Sequence, residues 1–165
     1  MLIRASHANI RPMAIDFAKS LKGAEEGSPV HQGFVGWCYL YGQHVEVDYQ
    51  KAFRWLSAAA EQRASRPCAH LGRMYAEGLG VPQDIPEAIR RFRAVEKVEP
   101  RAQLGLARIF AQGHDVPADP VEALRLYKAI AACDYLHPVP SAAAFAGALT
   151  PEEVEEAETY VAEHI

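Results

Sequence analysis

The sequence predicts an all-α protein built from stacked helix pairs, and two observations support this. One pattern occurs three times along the 165 residues, at spacings of about 35 residues. Within each copy, apolar residues recur three and four positions apart, which is the spacing of one face of an α-helix. Each copy therefore predicts a helix, a short loop and a second, antiparallel helix.

The three copies share specific residues at matched positions. They read VGWCYLYGQHVEVDYQKAFRWL at 35–56, LGRMYAEGLGVPQDIPEAIRRF at 71–92 and LARIFAQGHDVPADPVEALRLY at 106–127. The best matched columns are Tyr39, Tyr75 and Phe110; Gly42, Gly78 and Gly113; Val45, Val81 and Val116; Asp48, Asp84 and Asp119; Ala52, Ala88 and Ala123.

The first helix of a copy is defined by its packing face and by its end. Leu71, Met74 and Tyr75 form one apolar face. Gly72 within that helix costs about 1 kcal/mol relative to alanine. We therefore expect a small residue there to admit a neighbouring helix. Gly78 suits the left-handed position just after a helix C-terminus.

The second helix begins at an aspartate. Asp84 is a favourable N-cap, and Glu87 three residues later completes the sequence of a capping box. Asp119 and Glu122 repeat this arrangement, with Pro120 at the first helical position, where its missing N–H does no harm.

The glycine-rich loop at 77–84, EGLGVPQD, is not expected to bind a phosphate. No Lys-Ser or Lys-Thr follows, as a P-loop requires. Carboxylates at Asp84 and Glu87 would repel phosphate from the start of the next helix. Because His44 and Asp115 replace Gly80 in the other copies, we expect the loop geometry not to require glycine there.

The flanking segments extend the pattern into one domain over residues 1–165. We predict a leading half-repeat at 12–27, repeats at 28–66, 67–99 and 100–134, and a degenerate capping repeat at 135–165. Six glutamates and no lysine or arginine lie between residues 150 and 165. They supply the polar outer face that ends a stack of repeats.

These columns resemble the Sel-one-like repeat family, α-solenoids related to tetratricopeptide repeats. Agreement is best at 67–92, and the first copy adds Trp55 and the run AAAEQ at 58–62. The resemblance covers about residues 28–134. It implies a right-handed α-solenoid of antiparallel helix pairs, with three full repeats, terminal capping helices and about nine helices in all.

Composition argues against several other classes of protein. The net charge of −4 gives no reason to expect nucleic acid or membrane binding. Three widely spaced cysteines (Cys38, Cys68 and Cys133) predict buried thiols rather than disulfides or a zinc site. No apolar run suits a signal peptide or a membrane span, so we expect a cytoplasmic protein.

No catalytic, metal-binding or cofactor-binding motif occurs, so we expect a protein that is not an enzyme and needs no cofactor. The seven histidines are scattered without ligand spacing, and His44 and His114 are read as exposed loop residues. Arg54, Arg90 and Arg125 recur in one column of the second helices. They form either a solvated outer face, with Glu87 pairing Arg91 and Glu122 pairing Arg125, or a site for an anionic partner.

A candidate binding face lies opposite the packing stripe of the first helices, at about 200°, 140° and 240° from Leu71 on a helical wheel. In tetratricopeptide-like solenoids the matching face lines the concave groove. Trp, Tyr and Arg are enriched in interface hot spots. The predicted partner-binding residues are Trp37, Leu40, Tyr41, Arg73, Glu77, Arg108 and Gln112. For Trp37 and Tyr41, the alternative is burial under residues 1–11 or the leading helix; for the two arginines, it is ordinary surface charge.

The predicted function is a non-catalytic interaction module that binds a protein or peptide through the concave groove. The resemblance implies an adaptor or scaffold of the kind found in signalling and in bacterial interactions with hosts or competitors. A cytosolic immunity protein that neutralises a toxin is one alternative. A small-molecule-binding protein or enzyme is the alternative from another class; it would need a closed pocket with convergent polar groups.

Overall fold

Seven α-helices make up the part of the chain that the computed structural model describes, residues 16–113 and 115–132, and no strand occurs there. The helices are α1 (Phe17–Glu25), α2 (Pro29–Tyr41), α3 (Tyr49–Glu61), α4 (Ser65–Glu77), α5 (Ile85–Arg93), α6 (Pro100–Gln112) and α7 (Pro120–Ala132). This confirms the all-α prediction.

The helices pack as successive pairs. Helices α2 and α3, α4 and α5, and α6 and α7 contact each other within pairs, while α1 packs on α2. Helix α2 also contacts α4, and α4 contacts α6. The first helices of neighbouring pairs therefore lie side by side, so that side chains from all three can line one surface.

Glycines end the three first helices, as predicted. Gly42, Gly78 and Gly113 have φ of 67°, 68° and 68°, the left-handed conformation that L-residues avoid. The N–H of each glycine donates to the carbonyl oxygen four residues earlier, which satisfies one of the carbonyl groups left free at a helix end.

Aspartates begin the second helices, but only one of the two hydrogen bonds of a capping box forms. The Asp84 carboxylate accepts from the Glu87 N–H at 2.8 Å. The Asp84 N–H donates to the Tyr75 carbonyl at 3.0 Å, and the Glu87 side chain pairs with arginines instead. In each repeat the aspartate N–H donates to the backbone carbonyl of the matched aromatic residue, Tyr39, Tyr75 or Phe110. This hydrogen bond connects the start of the second helix to the last turn of the first.

Small residues allow close packing of these helices. A Cβ on Gly72 would lie 2.6 Å from the Phe92 ring, and one on Gly105 would lie 2.4 Å from it. The ring, 3% exposed, therefore lies between α4 and α6. The close approach predicted at Gly72 is present, whereas the role of Gly105 was not predicted.

The loops between paired helices share one backbone conformation that the sequence did not reveal. Gly80 has a φ of 72°, and its counterparts His44 and Asp115 have φ of 66° and 56°. The loop conformation itself does not require glycine, as expected, but the surroundings of Gly80 do, because a Cβ there would lie 2.9 Å from the Tyr49 backbone carbon. His44 and Asp115 adopt the same left-handed region with a side chain present.

The leading residues before Asp16, His114, Cys133 and the predicted capping repeat at 135–165 with its six glutamates lie outside the described residues. The count of nine helices, the right-handed sense and the repeat boundaries stay predictions. None of the seven helices is long and apolar enough to span a bilayer.

Candidate partner-binding groove

A pocket of about 680 Å³ opens where α2, α4 and α6 lie side by side. We call it the arginine groove, because three arginines line it. Its polar lining is Tyr41, His70, Arg73, Glu77, Gln83, Arg101, Arg108 and Gln112; its other lining residues are Ala69, Ala76, Ile85, Phe92, Leu104, Gly105 and Ile109. Five of the seven predicted binding residues line this one pocket.

The remaining two predicted residues lie elsewhere on α2. Trp37 is half-buried and stands beside the groove, with its ring 5.8 Å from that of Tyr41 and 6.0 Å from that of Phe34. Leu40 is only 5% exposed and packs in the core with Leu56 and Met74.

The expectation that Leu40 lies on the binding face therefore needs correction. A helical wheel places Leu40 away from the packing stripe of α2, but it does not include the neighbouring helices. The core cluster that contains Leu40 also includes residues of α3 and α4. These cover the flank of α2 that the wheel left open.

Tyr41 and Arg73 link α2 to α4 at the mouth of the groove. The Arg73 guanidinium forms a two-point pair with Glu77, at 2.8 and 3.0 Å, and donates to the Tyr41 hydroxyl at 2.9 Å. Glu77 and Tyr41 raise the pKa of Arg73 above its usual value. Tyr41 nevertheless stays 37% exposed, so that the ring is available to a ligand.

His70 lies at the base of this cluster and was not predicted as a site residue. It is 5% exposed, and its Nδ1 lies 3.4 Å from the Tyr41 hydroxyl. Burial, helped by the positive charges of Arg101, Arg73 and Arg66, lowers its pKa to about 4. His70 is therefore neutral near neutral pH, and this leaves the hydroxyl proton of Tyr41 free to point towards Nδ1.

A buried carboxylate anchors the α6 side of the groove. Glu99 is 5% exposed, and its side chain pairs with Arg101 at 3.1 Å and with Arg66 at 3.7 Å. Arg108, one turn beyond Leu104 on α6, is exposed and has no hydrogen-bond or ion-pair partner within residues 16–113 and 115–132. Arg108 is therefore free to pair with a ligand.

The row of arginines on the second helices is mostly neutralised within the chain. The predicted pairs of Arg91 with Glu87 and of Arg125 with Glu122 are present, and Arg90 also pairs with Glu87, which was not predicted. Arg54 differs, because its guanidinium lies 5.5 Å from the centre of the Trp55 ring. These internal pairs disfavour a site for an anionic partner, although the Arg125 side chain is only 16% exposed and does not lie on a solvated face.

The thiols and acidic groups form no metal site in the part of the chain described. Cys38 is buried, and burial raises its pKa to about 11. Cys68 is half-buried rather than fully buried, and it donates to the Arg91 carbonyl at 3.4 Å. Among the described residues, no three His, Cys, Asp or Glu side chains come together as metal ligands.

Sequence reasoning missed His70, Arg101 and the apolar floor of the groove, for two reasons. His70 precedes the packing residue Leu71 and lies at about 260° from it on the wheel, close to the candidate face but outside its three columns. Arg101 lies in the first turn of α6, five residues before Leu106, outside the three columns used for the wheel. A wheel extended to the first turn of each helix would have included Arg101.

Comparison with known proteins agrees with this architecture. A family model for the Sel1 repeat matches residues 32–63, 68–90 and 100–135. One similar solved structure is a protective antigen present in uropathogenic Escherichia coli strains that displays an SLR fold, with 28% identity and a TM-score of 0.65. Another is a Sel1 repeat protein from Oxalobacter formigenes, with 28% identity and a TM-score of 0.58.

The matches cover more of this chain than of its relatives. They include 72% and 71% of this chain, but only 26% of the E. coli antigen and 55% of the Oxalobacter protein. This chain therefore matches about a quarter of one relative and about half of the other.

Proposed function

Because this chain belongs to the Sel1 repeat family, whose members typically act as non-catalytic protein interaction modules, we propose that it binds a protein or peptide through the arginine groove and acts as an adaptor. The observation that carries this proposal is the composition of the groove. Exposed aromatic and arginine side chains from successive first helices surround a buried apolar floor.

The groove combines the features of an interface hot spot. Tyr41 and Arg73 are residue types that often dominate binding energy, and Trp37 extends the aromatic surface beside them. The contacts of Arg73 with Glu77 and Tyr41 hold its side chain in one arrangement before a partner arrives. Such preorganisation reduces the entropy lost on binding.

Groups typical of a catalytic centre are not assembled in the groove as far as the structure describes it. The one strongly shifted titratable side chain that could exchange a proton, His70, is buried beneath Tyr41 and is neutral near neutral pH. The carboxylate of Glu77 is held by Arg73. These features support the binding proposal over the enzyme alternative.

Photo-crosslinking from the groove tests this function. A photoreactive amino acid replaces Gln112, an exposed residue of the groove, or Arg54, an exposed residue on α3 outside it. We expect illumination in the native cell to link a protein to position 112 and not to position 54. The paired changes Trp37→Ala with Tyr41→Ala, and Arg73→Glu with Arg108→Glu, should abolish that crosslink while circular dichroism shows intact helices.

Two results would refute the proposal. One is a partner that crosslinks equally well from both positions. The other is a crosslink at 112 that survives both pairs of substitutions.

A further inference from the structure

The charges of the arginine groove specify the chemistry of its ligand. Its lining includes three guanidinium groups, from Arg73, Arg101 and Arg108, against the single carboxylate of Glu77. Glu99 pairs with Arg101 from below, and Arg66 adds a further positive charge near it. The groove region thus keeps a net positive charge within a protein whose total charge is −4.

The same arginines also act on the buried His70. Three arginines from α4 and α6, namely Arg101, Arg73 and Arg66, disfavour protonation of His70 in addition to the effect of its burial. A cation is therefore disfavoured within the pocket, and an anionic group is favoured at the same place.

The positive charge is unevenly distributed along the groove. At the α2 end, the exposed Tyr41 ring lines the groove, and the half-buried Trp37 lies beside it. At α4, Arg73 is already bound by Glu77. At α6, Arg108 is exposed and without a partner in the described chain, and Gln112 lies one turn further on. The groove therefore changes from aromatic to cationic in the direction from α2 to α6.

Between these ends the floor is apolar. Ile85, Phe92 and Ile109 are 4%, 3% and 6% exposed, and Leu104 is half-buried beside them. A volume of about 680 Å³ is within the usual range of ligand pockets and holds several side chains. A ligand that fills the groove therefore needs both apolar and anionic groups.

We propose that the partner enters the arginine groove as an acidic peptide segment, with carboxylate side chains over α6 at Arg108, an apolar side chain on the floor formed by Phe92 and Leu104, and apolar or aromatic residues towards Tyr41. This inference rests on the proposed function and adds the chemistry and the orientation of the partner. Carboxylates suit the site because a guanidinium binds them through two parallel hydrogen bonds. The Glu77 carboxylate and the apolar floor disfavour a nucleic-acid backbone there.

Selection from an unbiased peptide library provides the test. The full chain is immobilised and challenged with displayed random 12-residue peptides, and the strongest binder is synthesised with a fluorescent label. We expect the recovered peptides to be enriched in Asp and Glu next to apolar residues. Their affinity should fall as salt is raised from 50 to 300 mM, because exposed charge pairs are screened.

Charge reversal then locates the carboxylate. Arg108→Glu should lower the affinity for the labelled peptide about tenfold, because a favourable ion pair becomes repulsive. Arg108→Gln should lower the affinity less. The matched control Arg54→Glu alters net charge equally outside the groove and should leave affinity within about twofold. Changing the acidic residue of the peptide to Gln should lower its affinity for the wild-type protein. The same change should have little effect on its affinity for the Arg108→Gln variant.

The outcomes separate this inference from the proposed function. Peptides that lose binding with Tyr41→Ala but show no acidic enrichment would refute the acidic ligand and leave the groove as a binding site. Tighter, Arg108-dependent binding of a 12-nucleotide single-stranded DNA would also refute the acidic peptide. Peptides that are insensitive to both Tyr41→Ala and Arg108→Glu would refute the proposed function as well.

Discussion

The Arg73 guanidinium lies 5.3 Å from the centre of the Tyr41 ring and donates a 2.9 Å hydrogen bond to the Tyr41 hydroxyl. These residues belong to α4 and α2, the first helices of consecutive pairs. Their contact crosses from one repeat to the next on the surface proposed to bind a partner. It therefore joins two consecutive repeats at the arginine groove.

Removing the Tyr41 hydroxyl tests the strength of this link. Tyr41→Phe should lower the free energy of unfolding by about 0.5–1 kcal/mol, because a partly exposed hydrogen bond contributes that much. Chemical denaturation measures the change. Tyr49→Phe is the matched control, since Tyr49 is 38% exposed and its hydroxyl has no hydrogen-bond partner in the described ranges. Equal effects of the two changes would show that the contact with Arg73 does not stabilise the stack.

Adding a methyl group at Gly72 should destabilise the fold. Alanine is favoured over glycine in a helix by about 1 kcal/mol. The new Cβ would, however, lie 2.6 Å from the Phe92 ring, and overpacking of this kind costs about 1–3 kcal/mol. We expect Gly72→Ala to lower the free energy of unfolding by about 1 kcal/mol or more.

A double-mutant cycle isolates the steric cause of this effect. In the background of Phe92→Leu, which removes the ring, Gly72→Ala should cost less or become stabilising. An equal cost in both backgrounds would contradict the packing explanation.

Stability should rise with pH between about 4 and 6.5 because of His70. Its pKa of about 4 in the folded protein lies below the ordinary histidine value of 6.5, so the unfolded chain binds more protons in this range. The contribution of His70 to the free energy of unfolding is fully present above pH 6.5 and is lost as the pH falls towards 4. Its upper limit is about 3 kcal/mol. Unfolding curves are measured at several pH values. The free energy of unfolding should depend less steeply on pH for His70→Asn than for the wild type. Parallel profiles would contradict this prediction.

The shared loop conformation predicts opposite effects at matched positions. His44 has a φ of 66°, which is unfavourable for a residue with a side chain, so His44→Gly should raise the free energy of unfolding by about 0.5 kcal/mol. Gly80→Ala should lower it by about 1 kcal/mol or more, because of its φ of 72° and its close approach to Tyr49. Thermal unfolding of the two variants checks this, and shifts of the same sign would contradict it.

The sequence by itself determined the helices, their ends and the order in which they pack. Gly78 ends a helix and Asp84 begins the next through interactions among a few neighbouring residues, so their roles are readable from spacing alone. The recurring columns also predicted a common face for Tyr41, Arg73, Glu77, Arg108 and Gln112, and all five line the arginine groove, because residues at one position of stacked repeats lie on a common surface.

Only the tertiary structure decided which of these side chains are exposed and what surrounds them. Leu40 is buried and Tyr41 is not, although they are adjacent in sequence, because the core cluster of α2, α3 and α4 covers only the former. His70, Arg101 and the Phe92 floor join the groove through contacts between helices that are distant in sequence. The periodicity of a helix gives the direction of a side chain about its own axis, but burial and charge depend on the neighbouring helices, whose positions follow from packing the whole chain.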